Sequence, residues 1–336
     1  MPTSLITGGA GFIGAHIAEH LLKSGHEVVV LDDLSGGFEE NVPQGAEFVE
    51  GTICDHQLVD NLFDWHRFDY VFHLAAYAAE GLSHFIKRFN YNNNVIGSVN
   101  LINAAVNHDV RRFVFTSSIA VYGSHQSPMM EDMVPRPEDS YGIAKHAVEQ
   151  ELRASHEMFG MEFTIFRPHN VYGERQNIGD RYRNVVGIFM NQLLMDQPMT
   201  IFGDGEQERA FTHVNDVASP IANCVELAGT RNEVFNIGAD VPFTINHLAR
   251  VVAKSLAREY RVRHLDARHE VKVAFSDHAK ADRVFGREQK ISLEDGLDTM
   301  AAWVARHGSR QSTVFEGIEI QKNLPPSWAT AAEVRK

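Results

Sequence analysis

Tyr141 and Lys145 stand four residues apart in the run Tyr141-Gly142-Ile143-Ala144-Lys145. On a helix they share one face, with Cβ atoms about 5–6 Å apart. A free tyrosine titrates at about 10 and is a poor base at neutral pH, but a neighbouring ammonium favours its phenolate. Upstream, Thr116-Ser117-Ser118 closes a strand-like run over 112–116, so a serine hydroxyl there can hold the same substrate oxygen. Such a trio can take the proton from a secondary alcohol. The plainer alternative is a surface Tyr–Lys pair with a capping serine, because this spacing arises often by chance. What decides is the framework that carries it.

That framework opens with Ser4-Leu5-Ile6-Thr7, which leads into Gly8-Gly9-Ala10-Gly11-Phe12-Ile13-Gly14. Glycines at 8, 11 and 14 allow a tight turn, close approach of backbone to a pyrophosphate, and close packing of helix on sheet. Free N–H groups at the helix start suit the negative charge. Asp32 ends the next strand-like run, 18 residues after Gly14, where an acid hydrogen-bonds the ribose of a dinucleotide. A carboxylate there repels a 2′-phosphate, so NAD is expected rather than NADP.

Further β-branched runs over 47–49, 70–74 and 112–116 alternate with helical spacing over 16–23 and 94–106. The alternation predicts an α/β fold, a Rossmann-like doubly wound parallel sheet with right-handed crossovers. After Phe163 the loops lengthen, and a strand over 234–237 suggests a return to the first sheet. The expected organisation is an NAD-binding Rossmann domain over 1–165, rejoined at about 213–238. A smaller, discontinuous α/β substrate lobe spans 166–212 and 239–308, and a tail with no clear pattern spans 309–336.

Composition narrows the function classes. With 336 residues, 44% hydrophobic and 22% charged, the chain can bury a sizeable core. Its 44 acids against 31 bases give a net charge of −13, which repels nucleic acid and anionic membrane. Cys54 and Cys224 lie too far apart in sequence to suggest a disulfide framework and fit a reducing compartment. No stretch reads as a secretory leader or membrane span, so a cytoplasmic protein is expected. His264, His269 and His278 lack compact metal-ligand spacing, and no metal is expected.

At this point the chain resembles the extended short-chain dehydrogenases/reductases that act on nucleotide sugars, and most closely the UDP-hexose 4-epimerases. The resemblance runs from Leu5 to about His307. It is carried by TGGAGFIG at the start, HLAA at His73 to Ala76, Tyr91-Asn92-Asn93-Asn94-Val95-Ile96-Gly97, SSIAVYG at Ser117 to Gly123, and YGIAK. RPHNVYG at Arg167 to Gly173 and GDGEQERAFTHVND at Gly203 to Asp216 continue it. The resemblance implies that Ser118, Tyr141 and Lys145 are catalytic. It implies that NAD is held by Gly8, Gly11, Phe12, Ile13, Gly14, Asp32, Asp33, Thr52, Ile53, Leu74, Ala75, Ala76 and Asn94, with Tyr141 and Lys145. For the UDP-sugar it implies Ser118, Asn170, Asn184, Val185, Ile201, Phe202, Arg209, Arg268 and Glu270. It further implies a homodimer formed through helices near 97–107 and 141–158. One departure is Thr52, where the family often has an Asp for the adenine; either the Thr52 hydroxyl or nearby Asp55 could serve.

Relatives of this kind also dehydrate or decarboxylate nucleotide sugars, using an acidic pair or a Glu just after the catalytic hydroxyl. Here those positions are Ile119 and Ala120. The expected reaction is therefore 4-epimerisation of UDP-glucose/galactose or UDP-GlcNAc/GalNAc, by oxidation at C4, rotation of the 4-keto sugar and hydride return. The small Ala274 aligns with the position facing the C2 substituent and leaves room for an N-acetyl group. Arg181 and Arg183 keep UDP-glucuronate open as the alternative, as they could pair with its carboxylate; a dehydratase or decarboxylase of the same fold is the other.

Overall fold

The computed structural model describes residues 1–124, 127–267, 272–286, 290–312, 315–326 and 328. Six strands follow one another, joined by helical crossovers except between the second and third, where only a 3-10 turn at Glu39–Asn41 intervenes: β1 Thr3–Thr7, β2 Glu27–Asp32, β3 Glu47–Glu50, β4 Tyr70–His73, β5 Arg112–Thr116 and β6 Phe163–Pro168. With the later strand Glu233–Ile237 beside β6, they form a seven-stranded parallel sheet. Its order reads Glu233–Ile237, β6, β5, β4, β1, β2, β3. This is the doubly wound α/β fold expected. Alternate residues of each strand serve opposite faces. Leu5, Phe113, Phe115 and Ile165 meet helices His56–His66, Gly97–Asn107 and Ser140–Phe159 on one face. Ile6, Val114, Phe166 and Phe235 meet helices Phe12–Lys23 and Asn215–Asn223 on the other. Burial on both faces explains why these strands read as unbroken apolar runs.

β6 runs on to Pro168, past the expected boundary at 165, and sequence reading had not placed it as a strand. Arg167, near its carboxyl end, is buried, and its guanidinium sits on the Glu149 carboxylate, Nε to Oε1 at 2.9 Å. The helix expected over 94–106 is Gly97–Asn107, preceded by Lys87–Tyr91 and a wide turn at Asn92–Ile96. Beyond β6, a third core gathers Val186, Phe189, Leu193, Ile201, Leu248, Val252, Leu297 and Val304. No helix is long and apolar enough to cross a membrane among the described residues.

Candidate active site

The strand order reverses between β1 and β4, and ligands of such sheets bind at the carboxyl ends of the strands at that point. A cleft of about 1220 Å³ opens there and extends toward the third core. Gly8, at φ +73°, turns the chain out of β1; a Cβ on it would lie 2.7 Å from Ala75 N. A Cβ on Gly14 would lie 2.2 Å from Gly8 O, and one on Gly37 2.5 Å from Ala10 O. Helix Phe12–Lys23 begins with no side-chain cap and no acid in its first turn, so its N–H groups and dipole remain for an anion. Asp32 accepts from Ala10 N at 3.0 Å and Leu34 N at 2.9 Å, which fixes the carboxylate at the end of β2. Burial raises its carboxyl, against the pull of those backbone N–H groups. The cradle fits an adenine dinucleotide.

Further along the same cleft, at the carboxyl end of β5, Ser118, Tyr141 and Lys145 come together, each buried. Asp139 caps helix Ser140–Phe159 by accepting from Gly142 N at 2.8 Å, and this helix presents Tyr141 and Lys145 on one face. Lys145 Nζ donates to Thr116 O at 2.8 Å and lies 4.6 Å from the Phe115 ring centroid. Burial pulls its ammonium down to about 7, against the nearby Glu149 carboxylate. Burial, and then the Glu80 carboxylate, push the Tyr141 phenol above its ordinary value, while the Ser118 hydroxyl beside it pulls the other way. Ser118 Oγ itself accepts from Ala120 N at 3.1 Å, which anchors the hydroxyl at the strand end. The Thr116 hydroxyl is buried in the cleft floor without a hydrogen-bond partner, a polar atom that a ligand can satisfy.

Of the residues expected to hold cofactor, Gly8, Gly11, Phe12, Ile13, Gly14, Asp32, Asp33, Thr52, Ile53, Leu74, Ala75 and Ala76 line this cleft. Asn94 does not. It is buried behind the wall, accepting from Tyr77 N at 2.8 Å and donating to Asn90 Oδ1 at 2.8 Å, while its neighbour Asn93 faces the cleft. Asp55 also turns away: it caps helix His56–His66 by accepting from Leu58 N at 3.1 Å, and Thr52, not Asp55, lines the cleft.

On the substrate side, Asn170, Asn184, Val185, Ile201, Phe202, Arg209 and Ala274 all line the cleft. Asn170 and Asn184 hold left-handed backbone at φ 40° and 61°, a conformation that asparagine tolerates and that collects at ligand sites. Arg209 Nη1 donates to Glu208 O at 2.8 Å and Lys272 O at 3.2 Å, which aims the guanidinium. Arg268 and Glu270 lie outside the described residues. Sequence reasoning missed Tyr77, Gly81, His84, Tyr182 and Trp328, all of which line the cleft. They sit on irregular segments or, for Gly81, on the short turn Glu80–Ser83, without a periodic pattern. His169, also in the cleft lining, is pulled down to about 3 by burial and by His278, so it stays neutral at working pH.

The sequence pattern of the NAD dependent epimerase/dehydratase family matches residues 4–238. A putative UDP-glucose 4-epimerase of Methanocaldococcus jannaschii is 33% identical over 303 residues, 89% of this chain and 97% of that protein. The crystal structure of UDP-glucose 4-epimerase with UDP-glucose from Thermotoga maritima superposes with a TM-score of 0.86 at 35% identity, covering 91% of this chain and 99% of that one. UDP-glucuronic acid 4-epimerase from Bacillus cereus, in complex with UDP-glucuronic acid and NAD, gives a TM-score of 0.83 at 28% identity over 91% of this chain and 99% of that one. The chain thus belongs to the NAD-dependent epimerase/dehydratase family of extended short-chain dehydrogenases/reductases, an NAD enzyme whose relatives include UDP-sugar 4-epimerases and UDP-glucuronic acid decarboxylases.

Proposed function

We propose that the protein is a UDP-sugar 4-epimerase, acting on UDP-glucose/galactose or UDP-GlcNAc/GalNAc as a cytoplasmic homodimer. One observation carries the reading. Tyr141, Ser118 and Lys145 meet where the dinucleotide cradle joins the substrate side, and the turn that follows Ser118 offers only Ile119 and Ala120 to the cleft. Ile119 packs with Val121, Tyr122 and Met129, next to Ala274. Neither of these two residues carries a carboxyl group to abstract a carbon-bound proton; the carboxylates nearest Tyr141, Glu80 and Asp139, come from other segments of the cleft.

Bound NAD would supply the hydride acceptor and donor for the sugar C4. The glycine loop and Asp32 would hold its pyrophosphate and ribose, with Thr52 and Ile53 at the adenine and Leu74, Ala75 and Ala76 along the opposite side. Tyr141 takes the proton of the 4-hydroxyl and later gives it back to the same oxygen. Ser118 holds that oxygen during both transfers. Lys145 supplies the positive charge that makes the phenolate affordable in a buried site. Asn170, Asn184 and Arg209 tether the diphosphate and nucleotide, so the 4-keto sugar can turn without leaving. Tethering converts the return step into an intramolecular one, which lowers the barrier by removing translational freedom.

The neutral sugars are favoured over UDP-glucuronate by the state of Arg183. Its Nε and Nη2 lie 2.6 and 2.5 Å from Asp180 Oδ2, and the guanidinium stacks 4.8 Å from the Tyr77 ring centroid. A guanidinium already matched to a carboxylate has little left for a second one. Arg181 Nε is engaged by Ser312 Oγ at 3.1 Å. A homodimer is supported by Ile96 and Ile143, exposed on neighbouring helical segments at 51% and 43%.

The test is incubation with a panel of UDP-sugars and proton NMR of the C4 configuration. Interconversion of a C4 pair without net reduced cofactor is expected. Deuterium uptake at C5 from heavy water, or steady accumulation of reduced cofactor, would point instead to a dehydratase, decarboxylase or dehydrogenase.

A further inference from the structure

Beyond helix Leu293–His307 the chain carries no helix or strand among the described residues, yet it is fastened along its length. Asn191 binds Arg310 on both sides, Oδ1 accepting from its N–H and Nδ2 donating to its carbonyl, each at 2.9 Å. The Arg310 guanidinium then reaches across to the sheet side, 2.6 Å from Glu40 and 3.7 Å above the Phe38 ring. Phe315 N donates to the Tyr182 hydroxyl at 3.1 Å. Glu319 accepts from Arg88 N and Phe89 N, both at 2.9 Å, and caps helix Lys87–Tyr91. The segment is a strap laid over one end of the cleft. Ordering an irregular segment costs backbone entropy, so these contacts are what hold it.

The strap delivers Trp328. Its indole is only 4% exposed, set edge-on against Phe85 at 6.1 Å and Tyr182 at 5.6 Å, and it lines the cleft. A Cβ on Gly81 would come within 3.0 Å of the ring. Gly81 lies on the turn Glu80–Ser83, and Ser83 Oγ accepts from the backbone N–H of Tyr141 at 3.2 Å. The indole therefore stands one short turn away from the base.

We propose that Trp328 is a specificity-determining residue of the sugar end, a wall that encloses the pyranose of a UDP-sugar and retains its 4-keto form until it is reduced again. The proposal rests on the epimerase reading given above. A ketone that must turn over needs room, and the same room is a way out; a rigid aromatic wall limits the space without adding a charge. The electron-rich face of an indole also suits the weakly positive C–H groups of a pyranose. The electron balance makes retention measurable. Each 4-keto sugar that escapes has left its C4 hydride on the cofactor and its hydroxyl proton with the protein, so every loss strands one reduced cofactor in the enzyme.

The test uses the full-length chain in four forms: unaltered, Trp328→Ala, Trp328→Phe and Glu319→Ala. With UDP-glucose or UDP-GlcNAc, Trp328→Ala should release free UDP-4-keto sugar and accumulate reduced cofactor about tenfold more per turnover than the unaltered chain. Trp328→Phe should return toward the unaltered value, and Glu319→Ala, which loosens the strap at a distance, should leak as Trp328→Ala does. UDP affinity by calorimetry should stay within about twofold in all four, because the wall touches only the sugar. A second readout needs no turnover: in a Trp65→Phe/Trp303→Phe chain, UDP-GlcNAc should change Trp328 fluorescence and UDP should not. Leakage by Trp328→Ala equal to that of the unaltered chain, or an equal fluorescence response to UDP and UDP-GlcNAc, overturns the proposal. If Trp328→Ala does not fold, the fluorescence comparison decides alone. If the unaltered chain inverts no UDP-sugar, the reaction reading has failed, and the fluorescence comparison still judges the wall.

Discussion

Tyr141 must ionise in a place that resists charge. Burial and the Glu80 carboxylate both raise its phenol, so the protein depends on Lys145 and the bound cofactor to bring the phenolate within reach. Tyr141→Phe keeps the ring and removes only the proton acceptor. It should lower turnover by about 10²–10⁴-fold while calorimetry shows NAD and UDP binding unchanged; unaltered turnover would remove Tyr141 from the chemistry. Glu80 allows a signed test. Its negative charge disfavours a second negative charge on the phenol, so Glu80→Gln should lower the Tyr141 pKa. The acid limb of the kcat/KM profile, which reports the free enzyme, should then move to lower pH. A shift to higher pH, or none, would mean that Glu80 does not face the phenol in solution.

At the scale of elements, the turn from β1 into helix Phe12–Lys23 is the least forgiving part of the fold. Gly14→Ala would place a methyl 2.2 Å from Gly8 O. Because that contact is backbone, the loop itself must shift, at about 1–3 kcal/mol. NAD affinity should fall sharply and the thermal midpoint should drop; a variant with unchanged NAD affinity would show that the loop does not cradle the pyrophosphate. This turn was legible in the sequence because each glycine answers a local demand, and β5 was legible because both its faces are buried. β6 was not. Its Arg167 reads as surface until its partners are known, Glu149 from a helix and Tyr122 from a turn, with the Tyr122 hydroxyl 2.7 Å from Arg167 Nη1. Asn94 shows the converse: a polar residue in a motif points to a ligand, while the wide turn at Asn92–Ile96 directs it to the Tyr77 backbone. Trp328 left no sequence signal at all, since an irregular strap has no period to read.

Across the whole molecule, the cleft joins parts that fold far apart in sequence, and the faces of the helices not spent on the sheet decide what else the molecule can do. Helices Gly97–Asn107 and Ser140–Phe159 pack side by side and bury Leu101, Ala105, Val148 and Leu152 against the sheet. Their outward side keeps Ile143 43% exposed, with Ile96 at 51% on the wide turn just before the first of them. Single exposed apolar residues need no explanation, but two on adjacent segments of a chain with net charge −13 form a place where two copies could meet without bringing like charges together. A two-fold interface repeats each change in both subunits, so Ile96→Glu with Ile143→Glu would put four carboxylates into the proposed contact. Light scattering should give twice the chain mass of 37.7 kDa for the unaltered protein and the single-chain mass for the double variant. The cleft residues named above all belong to a single chain, so the separated subunits should keep NAD and UDP binding. A variant that stays dimeric would move the contact to another face, and an unaltered protein that is already monomeric would overturn the homodimer.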